Sequence, residues 1–303
     1  MQNQENTKTR AGYVAIVGKP NAGKSTLMNS LVGAKLSIVT PKPQTTRKRV
    51  LGIYSEEAVQ IVFLDTPGML SPKYELQRQM MDYVSSSIDE ADVVAVIVAA
   101  DRFISAEEYF PKKFITLLRG LKKPKIAVIN KLDLLQQAKF VLPIIAEISK
   151  LEIFDEIVPI SALKNAQTDE LIKTLGKHLP EGPFFYDDEM LSTQSERFFV
   201  SEIIREQIFM DYREEIPYST EVQISDFKER SKGKWFIAAD IIVERQSQKT
   251  ILIGSDGAGI KRIGEKARVA IEDHLGMEVY LELFVKVRTK WREDKNMLKN
   301  MGY

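Results

Sequence analysis

The chain of 303 residues contains no cysteine, which excludes disulfide bonds, thiolate zinc sites and catalysis by a thiol. It contains only two histidines, His178 and His274. Neither has a partner at a spacing typical of a catalytic or metal site, so we expect both at the surface or at helix ends. The net charge of +1 argues neither for nor against a polyanionic partner.

Long apolar runs are also missing from the sequence. The run VVAVIVAA (93–100) is far shorter than the ~20 apolar residues that cross a bilayer as a helix. The N-terminal stretch MQNQENTKTR is polar and lacks the apolar centre of a signal peptide. We therefore expect a cytoplasmic protein.

Short apolar runs alternate with segments of helical length in the first part of the chain. Uninterrupted apolar strands separated by amphipathic helices are typical of a parallel sheet covered on both faces. We expect VLGIY (50–54) to pair with the second run as an antiparallel edge hairpin. The runs are YVAIV (13–17), AVQIVFL (58–64), VVAVIVAA (93–100), KIAVIN (125–130) and EIVPIS (156–161).

The pattern changes at LPEGPFFYDDEM (179–190), whose prolines, glycine and acidic cluster indicate a linker. At ~100–200 residues per domain, the chain length predicts two domains. Beyond the linker a different order of elements is predicted. It consists of a helix over 195–216, strands over 219–230, 234–245 and 250–254, a helix over 259–276 and a strand over 279–289.

The stretch GKPNAGKS fits the phosphate-loop pattern G-x-x-x-x-G-K-[ST], and it follows a strand and precedes a helix. Its glycines let backbone amides turn onto phosphate oxygens, Lys24 would reach the β- and γ-phosphates, and Ser25 would ligate Mg²⁺. The alternative is a glycine-rich turn with a surface lysine. The predicted loop consists of Gly18, Lys19, Pro20, Asn21, Ala22, Gly23, Lys24 and Ser25.

A phosphate loop serves ATPases, small-molecule kinases and GTPases alike, so a second motif must select the base. NKLD follows a strand directly, and a carboxylate at Asp133 can accept two hydrogen bonds that only guanine offers. Asn130 would fix the loop and contact the base edge, the Lys131 stem would cover the base face, and the amides of SAL would meet guanine O6. The predicted base pocket consists of Asn130, Lys131, Leu132, Asp133, Ser161, Ala162 and Leu163.

The stretch DTPG ends another strand. Asp65 would hold Mg²⁺ through water, and the Gly68 amide would sense the γ-phosphate. The alternative for Asp65 is a helix or turn cap. The predicted segment consists of Asp65, Thr66, Pro67, Gly68 and Met69.

Five stretches together resemble the Era family of GTPases over nearly the whole chain: GKPNAGKS, PQTTRKRVLG, DTPG, NKLD and IGSDGAGIKRIGEKAR. The resemblance implies a P-loop GTPase domain, an α/β fold of mostly parallel sheet with helices on both faces, followed by an α+β type II KH domain. We accordingly predict a tail over 1–10, the GTPase domain over 11–180, a linker over 181–192 and the KH domain with a basic tail over 193–303.

The resemblance also implies a switch threonine that closes on Mg²⁺ and the γ-phosphate. By analogy we assign Thr46, with Thr45 as the rival, and expect Lys24, Thr46, Asp65 and Gly68 to support hydrolysis of GTP. Met69 stands where Ras-like proteins carry the glutamine that orients water, so we expect slow intrinsic hydrolysis. We hypothesise that Asn21 helps to bind K⁺ between the phosphates; the alternative is an asparagine that only shapes the loop.

The G-x-x-G stretch at 254–257 resembles the KH loop that clamps about four nucleotides. The family usually has a basic or polar pair inside this loop, whereas this chain has Ser255 and Asp256. A carboxylate facing phosphate costs affinity, so Asp256 must point away, cap the next helix or read a base edge. The predicted RNA-binding residues are Ile253, Gly254, Ser255, Asp256, Gly257, Ile260, Lys261, Arg262, Lys266, Arg268, Lys286, Arg288 and Lys290.

The two tryptophans, Trp235 and Trp291, stand in different sequence surroundings. We expect Trp235 to be packed rather than stacked on a base, while Trp291 stands among basic residues and either role is open.

By resemblance, the RNA is the 3′ end of 16S rRNA and the role is assembly of the 30S subunit, linked to cell-cycle control. The family also implies a monomer with a peripheral pool at the inner membrane. One alternative is a membrane-surface signalling GTPase whose C-terminal domain binds protein or lipid. Another is a P-loop ATPase or kinase without a base pocket, which NKLD disfavours. A GTP-dependent RNA-modifying enzyme lacks supporting cysteine or cofactor motifs.

Overall fold

The computed structural model describes residues 9–101 and 105–303, which form two compact units. Within the described residues the first unit spans 9–37, 46–70 and 80–193, and the second spans 38–45, 71–79 and 194–303. Most of the predicted tail lies outside the described residues, and the first strand already begins at Arg10. The predicted domain boundaries stay a prediction.

The first unit is built on a six-stranded sheet of order β2-β3-β1-β4-β5-β6, in the described part of the chain. Neighbouring strands run parallel except β2 and β3, which form the predicted antiparallel edge pair. The strands are β1 (Arg10–Gly18), β2 (Val50–Glu56), β3 (Val59–Asp65), β4 (Val93–Ala99), β5 (Lys125–Asn130) and β6 (Glu156–Pro159). All the runs predicted as strands in this part are strands.

Helices connect these strands and cover the sheet. They are α1 (Lys24–Val32), α2 (Glu75–Glu90), α3 (Ala106–Tyr109), α4 (Lys112–Gly120), α5 (Val141–Ser149) and α6 (Thr168–His178). The central strands are buried on both faces, as the fully covered Val14, Ala15, Val96 and Val128 illustrate. This explains why they read as continuous apolar runs rather than as alternating ones. The parallel arrangement also brings the carboxyl ends of β1, β3 and β5 to one edge of the sheet.

The second unit is the predicted type II KH domain, and its main elements follow the order α–β–β–α–α–β. Its sheet has the order β7-β8-β9, with β7 antiparallel and β9 parallel to β8. The elements are α7 (Glu196–Asp211), α8 (Ile216–Ser219), β7 (Glu221–Lys228), β8 (Trp235–Val243), α9 (Gln246–Ile253), α10 (Ala258–Leu275), β9 (Val279–Val287) and α11 (Lys295–Asn300).

The strand predicted over 250–254 was wrong, because this segment belongs to helix α9. A run as short as TILI does not distinguish a buried strand from a helix by periodicity. The N-terminus of α9 is stabilised by the side chain of Gln248. Its oxygen accepts hydrogen bonds from the backbone amides of Glu244 and Arg245, both at 2.9 Å. The G-x-x-G loop therefore lies between two helices.

The segment predicted as a linker is hydrogen-bonded to the sheet of the first unit. The amide of Ile53 donates to the carbonyl of Leu191 at 2.8 Å. The fully buried Gln60 accepts a hydrogen bond from the Phe185 amide at 2.7 Å and donates one to the Tyr186 carbonyl at 2.8 Å. This segment thus lies along the β2–β3 edge.

Both tryptophans lie in the second unit, and both histidines lie at helix ends, as predicted. Trp235 is half-buried against the KH core, as predicted. Trp291 is fully buried, and its indole nitrogen donates to the Ser219 carbonyl at 3.0 Å, which supports a packing role. The rings of His178 and His274 lie 3.0 and 3.1 Å from single glutamates.

Among the helices described, none has the length and apolar character needed to cross a membrane.

Candidate nucleotide site and nucleic-acid groove

The phosphate-loop stretch connects β1 to α1 and packs tightly against the two other motifs. Gly23 adopts φ +94°, and a Cβ there would lie 2.3 Å from the side-chain nitrogen of Asn130. A Cβ on Gly68 would lie 2.8 Å from the backbone of Pro20. Both positions therefore require glycine, one for conformation and contact and the other for contact alone. The structure brings GKPNAGKS, DTPG and NKLD together.

Lys24 is buried at the start of α1, with 6% of its surface exposed. Its ammonium group donates to the carbonyl of Lys19 at 3.2 Å and, more weakly, to that of Gly18 at 3.4 Å. Burial lowers the pKa of Lys24 to about 8, and the charge of Asp65 opposes this shift. A buried ammonium with weak partners is suited to receive an anion, because phosphate oxygens would supply the missing charge.

Side-chain oxygens from three segments gather beside Lys24. The hydroxyl of Ser25 lies 2.7 Å from Asp65 Oδ2 and 2.8 Å from the hydroxyl of Thr46. The second oxygen of the fully buried Asp65, Oδ1, has no hydrogen-bond partner among the residues that the structure describes, and burial raises the pKa of this carboxyl. Such an incompletely satisfied group of hard oxygens fits Mg²⁺.

The two adjacent threonines differ in what they contact. Thr46 faces Ser25, as described above. The hydroxyl of Thr45 instead lies 2.7 Å from that of Thr40 and donates to the carbonyl of Lys42, also at 2.7 Å. This geometry favours Thr46 over Thr45 as a metal ligand.

The residues at positions 21 and 69 bear on hydrolysis. Asn21 is exposed and adopts the left-handed conformation with φ 62°, which asparagine tolerates better than most residues. The amide of Met69 donates to the carbonyl of Gly18 at 3.0 Å, and its half-buried side chain packs against the core. A thioether offers no strong donor or acceptor to orient water.

The base-pocket residues are organised by Asn130, which ends β5 and is 2% exposed. Its oxygen accepts hydrogen bonds from the amides of Lys131 at 2.8 Å and Ala162 at 3.0 Å. Asp133 is exposed, and the hydroxyl of Ser161 donates to its carboxylate. The structure thus places NKLD and SAL side by side, with a carboxylate open to an incoming base.

In the second unit a cavity of about 380 Å³ lies between β9 and the part of α10 that follows the G-x-x-G loop. The glycines of that loop allow close packing, since a Cβ on Gly254 would lie 2.8 Å from the Gly259 amide. Alternate residues of β9, Leu281 and Leu283, line the cavity, as the strand periodicity of two indicates. The lining residues are Ile260, Lys261, Gly264, Glu265, Arg268, Leu281 and Leu283.

The basic residues predicted to bind RNA fall into different environments. Arg262 and Lys266 do not line the cavity and form ion pairs with Asp211 of α7 at 3.0 and 2.5 Å. Arg268 lines the cavity while pairing with Glu272 at 2.8 Å.

In the described structure, the other four predicted basic residues do not form ion pairs with α7 or α10. Lys286 pairs with Asp240 at 2.6 Å. Lys261, Arg288 and Lys290 form no ion pair with any residue that the structure describes. Lys261 therefore combines a free charge with a position in the cavity.

The exposed Asp256 adopts φ 50° at the tip of the G-x-x-G loop. Helix α10 begins after Gly257 without a side-chain cap, so Asp256 does not cap it. Of the three expectations for this carboxylate, capping is excluded.

Comparison with known families finds two matches along this chain. Residues 13–131 match the family described as 50S ribosome-binding GTPase, and residues 215–292 match the KH domain family. The first stretch includes GKPNAGKS and strands β2 to β5, and the second lies within the second unit and includes the residues that line its cavity.

Relatives match over nearly the full length. GTPase Era of Geobacter metallireducens is 45% identical over 295 residues, which cover 97% of this chain and 98% of that protein. A GTPase ERA-like chloroplastic protein of Oryza sativa is 42% identical over 97% of this chain and 69% of its own length.

Two solved structures resemble this chain with a TM-score of 0.91, 44% identity and coverage of 97% of this chain and 99% of theirs. One is a variant of Aquifex aeolicus Era bound to GDP and AlF₄⁻. The other is an Era protein in complex with MgGDPNP and nucleotides 1506–1542 of 16S ribosomal RNA.

Proposed function

Because this chain belongs to the Era family of GTPases, we propose that its KH domain binds the 3′ end of 16S rRNA and that the protein acts in assembly of the 30S subunit. The observation that carries this proposal is the cavity between β9 and helix α10, the helix that follows the G-x-x-G loop. A relative that is 44% identical over 97% of this chain is known in complex with nucleotides 1506–1542 of that RNA.

In the first unit, the phosphate loop and the DTPG segment hold the phosphates of GTP. Lys24 neutralises charge on the β- and γ-phosphates, which is favourable because its ammonium is buried with weak partners. The amide of Gly68 donates toward the γ-phosphate. Asp133 accepts hydrogen bonds from guanine, and Asn130 keeps the base pocket joined to the phosphate loop.

Ser25, Thr46 and Asp65 hold Mg²⁺, with Asp65 acting through water. The ion, when bound, neutralises charge on the phosphates during transfer to water. The unpartnered Oδ1 of Asp65 and the short contacts among the three oxygens support this assignment. Thr46 is the switch threonine in this proposal.

K⁺ is the further cofactor that we propose, held with the help of the Asn21 side-chain carbonyl. Met69 offers no group to orient water, so another source of positive charge near the phosphates would compensate. The exposure of Asn21 at the loop tip supports access for an ion. The left-handed conformation of this residue equally fits a loop-shaping role.

In the KH domain, the loop over 254–257 receives the RNA backbone, and bases lie along the cavity against Ile260, Leu281 and Leu283. Lys261 supplies charge to phosphate, since no acidic side chain described in the structure neutralises it. Arg262 and Lys266 enter the RNA interface only if phosphate competes with Asp211. Their role in RNA binding stays a prediction.

Several expectations derive from the family alone: a monomeric state, a link to cell-cycle control and a peripheral pool at the inner membrane. The membrane-surface signalling function remains the alternative to rRNA binding. The match to a family described as 50S ribosome-binding GTPase also makes the large subunit an outcome to be tested.

Crosslinking to cellular RNA in the GTP-bound and GDP-bound forms tests this function. The wild-type chain should crosslink near the 3′ end of 16S rRNA and sediment with 30S subunits. Lys261→Glu, in the cavity, should lose these crosslinks, whereas Lys122→Glu on the exposed surface of the first unit should keep them. Crosslinks confined to 23S rRNA, or competition by anionic vesicles but not by the 16S fragment, would contradict the proposal.

A further inference from the structure

Asp65 receives a hydrogen bond from a residue outside all the nucleotide motifs. The hydroxyl of Ser37 donates to Oδ2 of Asp65 at 2.9 Å. Ser25 shares the same acceptor atom at 2.7 Å, which leaves Oδ1 as the unpartnered oxygen. Ser37 is only 3% exposed, so this bond is shielded from water. A buried hydroxyl aimed at a buried carboxylate restricts how that carboxylate can rotate.

The backbone around Ser37 is itself fixed by one side chain. Asn29 of α1 accepts hydrogen bonds from the amides of Leu36 and Ser37 at 3.0 and 2.9 Å. Its amide nitrogen donates to the carbonyl of Ser37 at 2.7 Å. These three bonds join the loop after α1 to the helix that begins with Lys24 and Ser25. The hydroxyl of Ser37 is thereby held relative to the helix that carries the phosphate-binding lysine.

We propose that Ser37 is a positioning residue for the Mg²⁺ site: clasped by Asn29, it holds Oδ2 of Asp65 and thereby keeps Oδ1 available to the metal and its water. This inference rests on the proposed function, since it takes Asp65 as a residue that binds Mg²⁺. Groups that orient metal ligands typically change metal affinity by 10- to 100-fold when they are removed. Ser37 touches neither nucleotide nor metal in this proposal, and its effect passes through Asp65.

The test measures release of a fluorescent GDP analogue from the full-length chain as Mg²⁺ is varied, and again in EDTA. Ser37→Ala removes the hydroxyl. Ser37→Thr and Ser37→Val form a matched pair of equal size that differ in the hydroxyl alone. Ser87→Ala is the control, because Ser87 is fully buried and its hydroxyl has no hydrogen-bond partner in the described part of the chain. Thermal melting of each variant reports on folding.

The Mg²⁺ concentration needed for half of the maximal slowing of release should be about 10-fold higher in Ser37→Ala than in wild type. It should likewise be about 10-fold higher in Ser37→Val than in Ser37→Thr. Release in EDTA should stay within about twofold of wild type, because the hydroxyl acts through the metal. Ser87→Ala should match wild type in both conditions.

An unchanged Mg²⁺ requirement in both hydroxyl-free variants would overturn the inference. An equal acceleration of release in EDTA would also overturn it, since Ser37 would then act on the nucleotide pocket itself. If instead the wild-type chain released the analogue at the same rate with and without Mg²⁺, the proposed metal site would fail. The Thr and Val pair keeps the test decisive if Ser37→Ala does not fold.

Discussion

The side-chain nitrogen of Asn130 donates a hydrogen bond of 3.0 Å to the carbonyl oxygen of Ala22. The carbonyl belongs to the stretch GKPNAGKS, and Asn130 begins the stretch NKLD at the end of β5. Since the oxygen of Asn130 also accepts from the amide of Ala162, one buried side chain joins three segments that are far apart in sequence. The base pocket and the phosphate loop are thereby held at a defined separation before any nucleotide arrives.

Replacing Asn130 by Asp keeps the shape of the side chain and its acceptor but removes the donor to Ala22. A buried carbonyl would lose its partner and face a carboxylate oxygen, at a cost of about 1–3 kcal/mol. We expect GTP and GDP to bind about 10- to 100-fold more weakly by calorimetry. The exposed Asn296→Asp should bind as wild type. Equal affinities of Asn130→Asp and wild type would show that the three segments keep their arrangement without this bond.

Asp133→Asn tests base recognition separately. In the proposed function the carboxylate accepts hydrogen bonds from N1–H and the 2-amino group of guanine, whereas an amide can donate to the 2-carbonyl of xanthine. Preference for GTP over XTP should therefore fall by several powers of ten, or reverse, in competition binding. The exposure of Asp133 means that folding should be unaffected, which a melting curve would check. An unchanged preference for GTP would refute the role assigned to this aspartate.

The motifs of the first unit were readable from sequence because each combines short spacing with a strand-to-loop context. The choice between Thr45 and Thr46 could not be made from sequence, because they are adjacent and only the backbone path decides which one faces Ser25. Ser37 carried no signal at all. A serine is common where a polar stretch of sequence passes into an apolar one. Its contact with Asp65 joins residues 28 positions apart, which the sequence alone does not indicate.

The K⁺ proposal predicts faster GTP hydrolysis in K⁺ than in Na⁺ at equal ionic strength. Asn21→Gly separates the two interpretations of Asn21, since glycine accepts the left-handed backbone but offers no side-chain carbonyl. If the carbonyl helps to bind K⁺, this variant should lose at least about half of the stimulation by K⁺ while binding GDP normally. Stimulation that persists unchanged would favour the loop-shaping role, and equal wild-type rates in K⁺ and Na⁺ would remove the proposal.

The pKa of Lys24 predicts a pH dependence of nucleotide binding. Burial lowers this pKa to about 8 in the free protein, and a bound triphosphate raises it by adding negative charge. Below pH 8 Lys24 is protonated in both the free and the nucleotide-bound protein, so this group should make no contribution to the pH dependence of affinity there. Above pH 8 binding takes up a proton, and affinity should fall by up to about tenfold per pH unit.

Calorimetry in two buffers of different ionisation enthalpy at about pH 8.5 measures this proton uptake. Lys24→Arg, which stays charged, should take up no proton through this position. Proton uptake of equal size in that variant would assign the dependence to another group.

In the second unit, the order of elements was mostly predictable, yet the environment of each cation was not. Lys261 and Arg262 are neighbours in sequence, but consecutive helical residues point about 100° apart. One lies in the cavity and the other pairs with Asp211. Choosing between them required knowing which face of α10 packs on α7. The helix over 246–253 was missed for a related reason, since a short apolar run lacks a distinguishing period.

Asp256 should weaken RNA binding by the G-x-x-G loop, because its exposed carboxylate has no partner in the described structure that neutralises it. Asp256→Asn should tighten binding to a 16S 3′-end fragment by about 3- to 10-fold at low salt, and Asp256→Lys should tighten it further. Each phosphate contact adds about 0.7 to the salt slope for a single strand, so the lysine variant should show a steeper dependence on KCl. Glu229→Lys, elsewhere on the exposed surface of the same unit, controls for net charge. Weaker binding by Asp256→Asn would instead indicate that the carboxylate contacts a base edge. Fluorescence anisotropy with RNA fragments that carry single-base changes would then identify the base. It is the one whose replacement weakens binding of the wild-type chain but not of the variant.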